Sequence, residues 1–185
     1  MDISIEIEER IISDIRSVPA RIQTSQARGD GAWTKLIFQL VADFGHSLNF
    51  DICASRKDVG YDGGWLYDLI WYKNDTSKFL HSVPLILECE WHTSYERIKY
   101  DFEKLLICKA ELKIMIFQSS AHQAPELFQL LEAGISAFNS MSTDEIYLLI
   151  CFNLATNEFD IKRIKIQAGS PKIISEAVLP PLPAT

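Results

Sequence analysis

Asp68, Glu88 and Glu90 are the residues whose types and spacing most constrain the chemistry of this chain. Asp68 lies in the run Gly64–Tyr72, and the two glutamates lie in Val83–His92; both runs are rich in aromatic and branched apolar residues. Such runs predict strands. Strand residues two apart share a face, so Asp68 is expected beside Leu66 and Ile70, and Glu88 and Glu90 beside Ile86 and His92. The opposite faces are apolar as well, through Trp65, Tyr67, Leu69 and Trp71 on the first strand and Val83, Leu85, Leu87 and Trp91 on the second. A strand apolar on both sides belongs in the middle of a covered sheet. Ionised carboxylates placed there are costly unless a cation or hydrogen bonds offset them, and three close together call for a shared cation. Oxygen ligands of this kind select Mg²⁺ or Mn²⁺, whereas zinc favours histidine and cysteine.

A helix follows at once over Ser94–Lys109, with Tyr95, Ile98, Phe102, Leu105 and Leu106 at helical spacing. Asp101 and Lys104 stand three apart on one face, which brings a lysine close to the carboxylates. Lys99 shares the helix without reach to the strand ends. The combination of Asp68, then Glu88-Cys89-Glu90, then Asp101–Leu106 resembles the PD-(D/E)XK nuclease superfamily, the restriction-endonuclease-like fold. The resemblance covers residues 30–155. It implies that Asp68 and Glu88 hold a metal together with the Cys89 carbonyl, that Glu90 stands where the family usually has lysine, and that Lys104 supplies that lysine from the helix. Some restriction endonucleases carry this E-x-E form, and Tyr67 takes the place of the name-giving proline. The catalytic set implied is therefore Asp68, Glu88, Glu90 and Lys104, and the metal set is Asp68, Glu88, Cys89 and Glu90. The acid that family members often carry on the first core helix has no counterpart, since Ala32 fills the slot, Asp30 precedes it and Asp43 lies far along.

The activity implied is Mg²⁺- or Mn²⁺-dependent hydrolysis of phosphodiester bonds in nucleic acid, foremost DNA, by an endonuclease or exonuclease. The residues by themselves support a divalent site. Two alternatives stay open: a weakened nuclease-like fold serving as a binding or regulatory module, and a nuclease whose DNA-binding surface lies on a partner chain. The substituted strand lysine and the net charge of −7 favour the module. Nonspecific nucleic-acid affinity comes from basic surface that releases counterions, and an acidic chain is short of it.

At 185 residues the chain is expected to fold as one domain with a real core, and 48% hydrophobic with 23% charged residues is ordinary for such a domain. No apolar run reaches the roughly 20 residues that span a bilayer. The start Met1-Asp2-Ile3-Ser4 lacks the basic region of a signal peptide. A cytoplasmic location with no membrane partner is the resulting expectation, with oligomeric state open, a homodimer included. Cys53, Cys89, Cys108 and Cys151 are widely spaced in apolar settings and read as reduced core residues.

The positioning elements follow from periodicity. A first helix over residues 3–18, carrying Ile7, Ile11, Ile15 and Val18, is limited by Pro19 and is placed outside the core; a polar hinge or loop, Gln23–Gly31, follows. Trp33, Leu36, Ile37, Leu40, Val41 and Phe44 mark the next helix, ending near Gly45. A strand at Asp51–Arg56 leads into the turn Asp58–Gly64, where Asp62 is a turn former. Beyond the central strands and their helix come a strand at Leu112–Ser119, a helix over Leu127–Phe138 with Pro125 in its first turn, and a hairpin of Glu145–Ala155 with Glu158–Gln167. The fold class is thus α/β: an αβββαβαβ core with a central mixed sheet flanked by helices, the order of the restriction-endonuclease-like fold. Residues 1–29 are the N-terminal helix and linker, 30–169 the core, and 170–185 an extended proline-rich tail, whose P-x-x-P spacing reads as a frayed terminus. Trp65, Trp71 and Trp91 are expected to pack, and His92 to lie at the rim.

Overall fold

Leu112–Ser119 and Ile146–Asn153 are apolar on both faces, and both lie at the centre of one sheet, buried along almost their whole length. The computed structural model describes residues 3–25, 28–61, 63, 65–167 and 170–177. Asp62, Gly64 and residues 178–185, read above as turn and tail, lie outside the described residues.

The elements are α1 (Ile5–Arg16), α2 (Val18–Ser25), α3 (Asp30–Ser47), β1 (Asp51–Ala54), β2 (Leu69–Asn74), β3 (Leu80–Glu90), α4 (Tyr95–Ile107), β4 (Leu112–Ser119), α5 (Ala124–Ala137), β5 (Ile146–Asn153), β6 (Glu158–Gln167) and β7 (Ser170–Ala177). The seven strands lie in sequence order. β1–β2–β3 is an antiparallel meander, β3, β4 and β5 run parallel, and β5–β6–β7 is antiparallel again. The sheet is therefore mixed, in an α/β fold. The two parallel steps need crossovers, which α4 and α5 supply on one face with Ile98, Phe102, Leu105, Leu127, Leu131 and Ile135 turned inward. On the other face lie α1, α2 and α3, contributing Ile11, Ile15, Val18, Ile37, Phe38 and Val41. Among the described residues no helix is long and apolar enough to cross a membrane.

Four elements differ from the sequence reading. α1 is part of the core: Ile11 and Ile15 are buried, and Glu8 forms a two-bond ion pair with Arg163 of β6 at 2.5 and 2.9 Å. Pro19 begins a helix instead of ending one, because a proline in the first turn lacks only an N–H that has no helical partner there. Thus α2 occupies part of the supposed linker. The proposed tail contributes β7, an edge strand in which Pro171 sits opposite Ile166; an edge tolerates the missing donor. Finally, β2 starts at Leu69, five residues later than its aromatic content suggests. Its partner β1 ends at Ala54, opposite Leu69, and the chain beyond turns away through a short 3-10 turn at Lys57–Val59, where Arg56 and Asp58 pair at 2.9 Å.

That late start leaves Trp65 and Leu66 exposed, so Leu66 does not share a covered face with Asp68. Trp71 and Trp91 pack in the core, and Trp65, though half exposed, lies against Tyr72 with ring centroids 5.3 Å apart. Trp71 is buried under α3, stacked on Phe50, and donates from Nε1 to the Val41 carbonyl at 3.2 Å. Gly45 permits this approach, since a Cβ there would fall 2.5 Å from Trp71 Nε1 and 2.8 Å from Cδ2. All four cysteines are free thiols.

Candidate functional site

The β2–β3 register places Leu69 opposite Leu87 and Ile70 opposite Ile86. One further step sets Asp68 against Glu88, on the face that carries α4. Asp68 is fixed from both neighbouring strands. Its carbonyl accepts the Ser55 amide at 2.7 Å, Oδ1 accepts the Ser55 hydroxyl at 3.1 Å, and Oδ2 accepts the Cys89 amide at 3.0 Å. Burial raises its pKa above the ordinary carboxylate value, against the pull of the Cys89 amide, Ser55 and Lys104.

Glu88 is fully buried. Its Oε2 accepts from Lys104 Nζ at 2.7 Å, while its Oε1 is buried without a hydrogen-bond partner. Burial pushes this carboxyl up to about 8, with the Asp68 charge adding to the rise and Lys104 opposing it. Lys104 also meets Asp101 Oδ1 at 2.8 Å, the i,i+3 pairing that the sequence indicates. Burial works against its ammonium, but Asp101 and Glu88 outweigh that and hold its pKa above the ordinary lysine value. Lys104 is thus the cation shared by Glu88 and Asp101.

Tyr67, half-buried, is close enough to this cluster to feel its charges. Burial and the nearby Cys108 and Glu88 raise its hydroxyl pKa, and Lys104 lowers it.

Of the residues named from sequence, the fold brings together Asp68, Glu88 and Lys104. Glu90 does not join them: its Oε1 accepts the His92 amide at 2.7 Å, a local closure at the strand end. His92 is exposed, as a rim residue should be. The Cys89 side chain packs with the core on the α3 side, so only its backbone lies between the two carboxylates' strands. Among the described residues, no group of three His, Cys, Asp or Glu side chains is placed to hold a metal ion. What fits a hard cation is the Asp68–Glu88 pair and the unpartnered Glu88 oxygen, with further ligands left to backbone and water.

Ser55 escaped the sequence reading because its role depends on non-local register. So did a second polar cluster, hidden by a single lysine within an apolar run. Lys113, fully buried on β4, donates to Glu145 Oε2 at 2.8 Å and to the Tyr147 hydroxyl at 3.1 Å. Burial and Glu145 push that hydroxyl far above the usual tyrosine range. A cavity of about 360 Å³ beside it, bordered by Ser82, Lys109, Glu111 and Glu145, lies at the N-terminal ends of β3, β4 and β5, the opposite end from Glu88.

Fold and site together define an α/β protein with a buried carboxylate–lysine cluster at the C-terminal end of a central strand. Compared with known proteins, the chain matches no family model, no curated protein and no solved structure.

Proposed function

We propose that the chain is a metal-dependent hydrolase of phosphodiester bonds in nucleic acid, acting on DNA, and a member of the PD-(D/E)XK superfamily. The observation that carries this reading is Glu88, a fully buried carboxylate with one oxygen unpartnered, opposed in register by Asp68 and touched by Lys104. A buried acceptor without a donor is costly, and a cation would satisfy it. The αβββαβαβ order of α3 through β5 is a second support.

Asp68, Glu88 and the Cys89 carbonyl would hold Mg²⁺ or Mn²⁺. When bound, such an ion polarises the phosphate and lowers the pKa of water. The protein's own groups carry the remaining work. Ser55 and the Cys89 amide orient Asp68 before any ligand arrives. Lys104, a fixed positive charge, offsets negative charge developing on the phosphate. Glu90 accepts the His92 amide at the strand end and would have to leave it to take a proton from water.

A second reading is favoured by Lys104 already serving as cation to Glu88 and Asp101, by the lack of a third metal-ligating side chain among the described residues and by the net charge of −7. In it the fold is retained as a binding or regulatory module, or needs a partner chain to bind DNA. Calorimetric titration of Mn²⁺ into the wild type and Asp68→Asn separates the two. The hydrolase reading expects binding in the wild type and its loss in a variant whose circular dichroism is unchanged. No binding by the wild type at millimolar metal would favour the module.

A further inference from the structure

Beside Lys104, α4 carries residues that hydrolysis does not use. Positions 97, 100, 104 and 107 are spaced three, four and three apart, so they form one ridge along the helix. They are Arg97, Tyr100, Lys104 and Ile107. Arg97 is exposed, with no carboxylate partner among the described residues, and Tyr100 and Ile107 are each 70% exposed. The Tyr100 ring centroid lies 5.9 Å from Lys104 Nζ, which in turn lies 2.7 Å from Glu88. Two more exposed apolar side chains, Trp65 and Leu66 (79% exposed), lead into Asp68. The ridge sets Arg97, a cation with no carboxylate partner among the described residues, next to the exposed Tyr100 ring, and then Lys104, which Glu88 and Asp101 already hold; a cation beside a ring is the complement of a phosphate beside a base.

We infer that this ridge is a stacking platform for single-stranded nucleic acid, with Tyr100 under a base next to the phosphate that Lys104 faces; the inference rests on the hydrolase reading. Three observations favour a single strand over a duplex. A chain of net charge −7 has little counterion release to gain, whereas base–aromatic stacking does not depend on net charge. Glu88 is fully recessed, so a phosphate must be brought inward, which a flexible strand does more readily than a stiff duplex. Stacking also requires an unpaired base face, and Tyr100 offers its ring to solvent beside the site.

The test is fluorescence anisotropy with a labelled oligothymidylate and with the duplex of the same length, in EDTA so that no cleavage occurs. Single-strand affinity is expected to exceed duplex affinity by about tenfold or more, and Tyr100→Ala to weaken it by about 5- to 100-fold while Tyr100→Phe keeps it. An abasic strand should bind the wild type as weakly as the normal strand binds Tyr100→Ala. Arg97→Ala should weaken binding and lower the salt slope by about one. Equal affinity for strand and duplex, or an unaffected Tyr100→Ala, overturns the platform. Mn²⁺ titration of the same preparations separates the platform from the hydrolase site. Metal binding that Asp68→Asn abolishes, with neither oligonucleotide bound, overturns the platform and leaves the hydrolase site standing. Binding of neither metal nor oligonucleotide overturns both. Self-association that Tyr100→Ala abolishes, with no oligonucleotide bound, makes the ridge a protein contact and overturns the platform.

Discussion

Replacing Glu88 by glutamine removes a charge from the most deeply buried part of the site without changing its shape. The Glu88 carboxyl titrates at about 8 in the folded protein against an ordinary value of 4.5, burial being the main cause. Between those values the folded state binds a proton that the unfolded chain has released, so stability falls as pH rises through the window. At about 1.36 kcal/mol per unit, the cost attributable to Glu88 is on the order of 2–3 kcal/mol from pH 5 to 7 and about 4 kcal/mol by pH 9. That is a large share of the roughly 5–15 kcal/mol that holds a domain folded. Asp68 shifts in the same direction and steepens the wild-type profile, but its contribution survives in Glu88→Gln and cancels in the comparison. Lys104, raised above its ordinary value, contributes stability that is lost only at more alkaline pH, outside the range compared. The assay is urea unfolding of wild type and Glu88→Gln in EDTA at several pH values from 5 to 9. The two curves should meet near pH 5 and separate steadily, with the variant the more stable at pH 9. Parallel curves would refute the reasoning, because they would mean that Glu88 ionises in the folded protein as easily as in water.

Gly45→Ala should destabilise by at least about 1–3 kcal/mol in urea unfolding, since the new methyl would overlap the Trp71 indole, and tryptophan fluorescence should shift with it. Lys113→Met leaves Glu145 buried without its cation and should cost about 3–5 kcal/mol. The double variant Lys113→Met/Glu145→Gln should recover much of that loss, and a double-mutant cycle by thermal unfolding checks the coupling. Glu8→Gln should cost about 3 kcal/mol by uncoupling α1 from Arg163, with hydrogen exchange rising first in α1.

Periodicity carried the reading of this fold where packing follows local pattern. β4 and β5 are predominantly apolar runs, β4 interrupted by Lys113, and α4 repeats Ile98, Phe102 and Leu105 at helical spacing, so each was readable from the chain alone. Proline misled twice in opposite settings: Pro19 starts α2 and Pro171 sits in an edge strand, and in both the tolerance comes from which backbone donor is dispensable. The aromatic run before Asp68 misled because strand propensity needs a partner, and β1 is too short to give one to Trp65 or Leu66. In the site, Asp68 facing Glu88 and the Asp101–Lys104 spacing follow from strand and helix geometry. The same rule placed Glu90 on that face but could not show its side chain turning to the His92 amide, and Ser55 became visible only through the register of β1 against β2.

The attachment of α1 has a consequence for how the chain matures on the ribosome. Ile3 donates to Glu111 at 2.9 Å, and Glu8 meets Arg163 across a separation of 155 residues. At about 5–20 residues per second, the ionic partner of the first helix is made roughly 8–30 s after Glu8 itself. Ile7, Ile11 and Ile15 find α3 early, but the ionic closure of the helix onto the sheet can come only once β6 has been made. A chain stalled before β6 therefore holds α1 by its apolar face alone, with Glu8 lacking its Arg163 partner.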